Sequence, residues 1–115
     1  MVLFSSDDGT VNGGNYHEYA LIKLNGEREG SDEYATNSFG MKKSSAFPGW
    51  EKWKENCKRG MEFEVRFRKK GNRVVLGSVN MGITVENTLT LNNPEERIYV
   101  ALTGDQVALT DIRIM

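Results

Sequence analysis

One histidine, one cysteine and two short carboxylate groupings are the residues of this 115-residue chain that could do covalent or acid–base chemistry. His17 has no nearby partners for a nucleophilic triad or a zinc site, so it reads as a polar residue at the start of a strand. Cys57 is the only cysteine, which excludes an internal disulfide and any cysteine-based metal site. Asp8, Thr10, Asn12 and Gly13 imitate the front half of a calcium loop. The full pattern needs a glutamate at its twelfth position, where Tyr19 stands and Glu18 falls one short. An EF-hand therefore fails; a shallower calcium site is the one cofactor left open, and an ordinary turn is the preferred reading. Glu62 and Glu64 share a strand face at roughly 6–7 Å, within the range of a glycosidase pair. They alternate with Arg66 and Arg68, as any solvated face does, so no enzyme is expected.

Binding needs less machinery than catalysis. Sugars stack their apolar ring faces on exposed aromatic side chains, and Tyr16, Tyr19, Trp50 and Trp53 are the candidate ligand-binding residues. Core packing competes for the tryptophans, because Trp50, Trp53 and Cys57 recur at i, i+3 and i+7 of a helix expected over residues 48–58. Arg66, Arg68, Lys69, Lys70 and Arg73 gather on one hairpin with Phe67 among them. Phe67 takes the core face, which leaves no stacking platform beside the charges and speaks against nucleic acid.

These residues must be positioned by strands. Met61 to Arg68 alternates apolar and charged residues strictly, which lines Met61, Phe63, Val65 and Phe67 along one face of an antiparallel sheet. Tyr16–Leu24 reads as a central strand, followed by an Asn25-Gly26 hairpin turn and a charged loop from Glu27 to Glu33. A short strand is expected around Ser38–Met41, and the helix begins at Pro48 and stops before Gly60. Lys69–Asn72 turns the chain into a return strand, Arg73–Asn80, where Gly77 suggests a bulge or bend. Ile83–Glu86 and Leu89–Leu91 follow, then Arg97–Thr103 and a closing strand Val107–Ile114 with a bulge near Thr110-Asp111. Seven or eight strands with frequent turns predict an all-β, antiparallel two-sheet sandwich of jelly-roll type.

The totals bound the rest. The length allows one core, hence a single domain over residues 1–115, with flanking domains expected if it is a module. Net charge is −1, from 15 basic and 16 acidic residues, so no global field attracts nucleic acid or an anionic membrane. No apolar run approaches the roughly 18 residues of a membrane span. Met1–Phe4 is too short for a signal-peptide core, so either the protein stays where it is made or a leader has been removed.

The order of elements from residue 16 to 114 resembles bacterial concanavalin A-like (lectin/glucanase-type) jelly-roll modules. The resemblance rests on Tyr19–Leu24, the Trp-containing helix leading into Gly60–Val65, Lys70–Val74, and above all Ile98–Asp105 followed by Val107–Ile114. It departs from them at Asn25–Gly30, where an aromatic- and Asp-rich loop would stand. The resemblance implies a non-catalytic carbohydrate-binding module, with an oligo- or polysaccharide as partner and an extracellular or cell-surface location. The alternative is a structural, sensory or protein-interaction sandwich with no small-molecule ligand.

Overall fold

The computed structural model describes residues 1–93 and 97–102. In chain order its elements are β1 (Val2–Ser5), β2 (His17–Ile22), β3 (Arg28–Gly30), β4 (Ala35–Lys43), α1 (Trp50–Arg59), β5 (Glu64–Lys70), β6 (Arg73–Asn80), β7 (Ile83–Leu91) and β8 (Tyr99–Ala101). The strands form two antiparallel four-stranded sheets, ordered β3-β2-β1-β8 and β4-β7-β6-β5. The expected all-β two-sheet sandwich with one short helix is the fold.

Period-two alternation decides which side chains meet between the sheets. β7 buries Ile83, Val85, Asn87, Leu89 and Leu91 while Thr84, Glu86 and Thr90 stay wet. From β6, Val74 and Leu76 join them, and Leu3, Tyr19, Ala20 and Ile22 arrive from the opposing sheet to complete one cluster. Each buried Leu, Ile or Val contributes on the order of 1.5–3 kcal/mol by leaving water.

The row Met61–Phe67 is not part of that cluster. β5 begins at Glu64 rather than Met61, and among the described strands it is the outermost of its sheet. Met61, Phe63 and Val65 are half-buried, and Phe67 is 45% exposed. Alternation told which face each residue takes; at the sheet margin the opposing layer does not cover that face.

Other differences have equally local causes. β1, unforeseen in the sequence, is buried along all four residues and sits between β2 and β8. Leu3 pairs with Ala20 and Phe4 with Glu18, so Tyr19 is the extra residue of a β-bulge. β3 lies inside the stretch expected as a charged loop, because all three of its residues are exposed and carry no apolar signal. β4 runs the full nine residues and β7 passes unbroken through Asn87. Gly77 makes no bulge: its neighbours pair in continuous register on both sides. A Cβ there would come within 2.9 Å of the Val85 carbonyl oxygen, so the glycine serves close backbone approach instead. The expected strand Val107–Ile114 and its bulge lie outside the described residues.

Candidate functional site

α1 and the chain leading into it build an aromatic cluster at one end of the sandwich. Pro48 and Gly49, the latter at φ 98°, turn the chain so that Phe47 faces Trp50 edge-on, with ring centroids 5.0 Å apart. One helical turn later Trp53 meets Trp50, again edge-to-face, at 5.6 Å. Lys43, at the end of β4, holds its ammonium 5.1 Å from the ring centroids of both Phe47 and Trp50. Lys43 and Phe47 were not among the sequence candidates; the signal for Phe47 was its place three residues before Trp50 across a Pro-Gly helix start.

The cluster is anchored through Trp53. Its indole N–H donates to Asn80 Oδ1 at 2.7 Å, and Asn80 Nδ2 donates to the Leu24 carbonyl oxygen at 3.1 Å. An indole only donates and a backbone carbonyl only accepts, so an amide side chain is suited to bridge them. Asn56 adds a contact to the Met81 sulfur at 3.1 Å. No residue of α1 is fully buried: Trp53 packs against the core, Trp50 remains 37% exposed, and Cys57 faces solvent. The i, i+3, i+7 stripe is thus only partly a core stripe. Partial desolvation still pushes the Cys57 thiol pKa up, which disfavours the reactive thiolate.

The tyrosines belong elsewhere. Tyr19, 1% exposed, is edge-on to Tyr34 in the core and presents nothing to a ligand. Tyr16 stands 5.5 Å from the ring of Phe4, which in turn stacks on Tyr99. Burial and then the neighbouring Glu18 carboxylate raise the Tyr16 pKa. Of the four sequence candidates the structure brings together only Trp50 and Trp53. His17, at the start of β2, lies against the Tyr34 ring at 4.4 Å.

Asp7, Asp8 and Glu64 each accept side-chain hydrogen bonds. Asp8 Oδ1 accepts from the Thr10 amide (3.0 Å), the Thr10 hydroxyl (2.9 Å) and the Ser6 hydroxyl (3.4 Å). These bonds, the Thr10 amide first, hold its carboxyl pKa below the ordinary value. Asp7 takes both its oxygens to Asn15 Nδ2. Among the described residues no group of three His, Cys, Asp or Glu side chains is placed to hold a metal ion. Glu64 is paired with Arg66 at 3.1 Å, and Glu62 lies before the first residue of β5 rather than on the strand with it. A shallow depression of about 230 Å³, lined by Gly40, Met41, Lys42, Thr84 and Glu86, carries no aromatic ring.

Comparison of the chain with protein-family models, with curated proteins and with solved structures returns no match.

Proposed function

We propose that this protein is a non-catalytic, lectin-like binding module of the concanavalin A-like jelly-roll class, and that an oligo- or polysaccharide stacks on Trp50. The observation that carries the reading is the partial exposure of Trp50 within a braced aromatic cluster. A sugar needs an aromatic face held still and a donor beside it. Phe47 and Trp53 hold the ring, and Lys43, whose ammonium lies over the Trp50 ring 5.1 Å from its centroid, supplies N–H groups beside whatever part of the ring a sugar takes. No acid–base pair is required.

Titration with a panel of neutral oligosaccharides should shift tryptophan fluorescence, and Trp50→Ala should weaken the best ligand about tenfold, the scale of one aromatic contact. A panel that leaves the emission unchanged removes the reading.

A structural or protein-interaction domain is the second reading, and its support is the exposure of Phe67 on β5 and Val100 on β8, each the outermost described strand of its sheet. Acrylamide quenching separates the two. An accessible Trp50, quenched in the free protein and protected by sugar, favours the glycan; a Trp50 indifferent to every sugar favours the interaction domain.

A further inference from the structure

The sheet β4-β7-β6-β5 has a second face, turned away from the core. Strand register fixes its composition in cross-strand rows. Arg68 lies opposite Val75, which lies opposite Thr88, which lies opposite Ser38. The next row runs Lys70, Arg73, Thr90, Thr36. Two adjacent rows therefore place three cations on β5 and β6 beside four hydroxyls on β7 and β4. Three interstrand steps make this platform roughly 14 Å wide.

The charges are available. Arg66, one row away, is paired with Glu64, whereas Arg68, Lys70 and Arg73 make no ion pair among the described residues. The stretch from 64 to 73 carries five cations and one carboxylate, which leaves ten basic and fifteen acidic residues for the remainder of the chain. The neutral total conceals a strongly basic hairpin on an acidic body. Such a local field draws anions at low ionic strength although the net charge does not.

We infer that this outer face binds an acidic polysaccharide, its uronate carboxylates on Arg68, Lys70 and Arg73 and its hydroxyls on Thr88, Thr90 and Ser38. The mixture of groups selects the partner. Guanidinium groups take carboxylates in paired hydrogen bonds, and threonine and serine hydroxyls both donate to and accept from sugar hydroxyls. A single-stranded nucleic acid would need aromatic rings for its bases, and these rows contain none. The inference shares with the tryptophan site only the class of partner and uses none of its residues.

The test is binding of polygalacturonate oligomers at low salt, beside neutral dextran and a thymidylate oligonucleotide. The double variant Arg68→Gln/Arg73→Gln should bind the uronan about tenfold more weakly and with a shallower salt dependence, since exposed ion pairs are individually weak. Lys52→Gln/Lys54→Gln on α1 removes the same charge elsewhere and should change binding less than twofold. Thr88→Val/Thr90→Val should weaken the uronan while leaving the salt dependence as it was. Trp50→Ala should leave uronan binding intact, which keeps this result separate from the neutral-sugar site. Absent uronan binding, an equal loss in the α1 variant, or tighter binding of the oligonucleotide would each overturn the inference.

Discussion

Asn80 shows how one side chain can govern a site it does not belong to. It is 3% exposed and satisfies two groups that cannot satisfy each other, the Trp53 indole N–H and the Leu24 carbonyl. Truncating it strands both in a poorly hydrated place. Asn80→Ala is expected to cost about 2–3 kcal/mol and to shift the Trp53 emission, measured by chemical denaturation followed through tryptophan fluorescence. Ser78, two residues earlier on the same inward face, is the opposite case. Its hydroxyl is buried and has no hydrogen-bond partner among the described residues. Ser78→Ala removes an unsatisfied group and should leave stability unchanged or raise it by up to about 1 kcal/mol. A loss at Ser78 as large as that at Asn80 would mean the hydroxyl is engaged. Neither role was legible in the sequence. Both residues sit at inward positions of an alternating strand, and the pattern says only that they point inward. What they meet is set by Trp53, 27 positions before Asn80, and by Leu24, 56 positions before it.

Among the elements, those with a strong periodic signal were readable and those without one were not. β7 alternates apolar and polar residues with Asn87 as its one polar inward position, β6 is marked by the Lys69–Asn72 turn before it, and the turn between them has Met81 and Gly82 at φ 41° and 81°, the conformation of a tight hairpin. β1 is four residues long with a wet face nowhere on it, so period-two reasoning had nothing to grip. β3 has no apolar residue at all; the Asn25-Gly26 turn was the sole clue to it, and Gly26 does sit at φ 94°. The helix was placed to within two residues by Pro48 and Gly60, but its stripe misled about depth, since contact with the body runs through Trp53 and Asn56. The polar, glycine-rich stretch 5–15 reads from sequence as an ordinary turn, and Asp8 is what organises its loop. Bonds from Thr10 and Ser6 favour the ionised carboxylate, so the folded pKa lies below 3.8. A depressed carboxylate supports the folded loop above its ordinary pKa and loses that support as pH falls through the lowered value. NMR titration of the Asp8 carboxyl should give a midpoint below 3.8, and Thr10→Ala should move it partway back. A wild-type midpoint at or above the ordinary value would show that the loop bonds do not persist in solution.

At the scale of the whole molecule, the most regular stretch of the sequence and the most buried part of the fold are different places. Met61 to Phe67 alternates without a fault, yet it lies at the margin of its sheet and ends in a phenylalanine that is 45% exposed. Leu76 is its direct cross-strand neighbour on the same face and is fully buried. One interstrand step of about 4.8 Å separates a residue inside the core from one outside it. Alternation is a property of a strand, whereas burial is a property of how two sheets overlap, and the overlap depends on pairings such as Val2 with Ala101 that join distant parts of the chain. The two neighbours therefore make a direct test of where the sandwich closes. Leu76→Ala should cost about 2–5 kcal/mol, since it leaves a cavity between close-packed layers. Phe67→Thr, a larger change in hydrophobicity on the adjacent strand, should stay within about 0.5–1 kcal/mol, because its ring already meets water and threonine suits a strand. Equal losses at the two positions in urea denaturation would place Phe67 inside the core and return the row from Met61 to the centre of the fold. The same margin explains how one hairpin can carry five cations at little cost. Its residues from Arg66 to Arg73 are exposed, so like charges are screened there and a partner of opposite charge has room to approach.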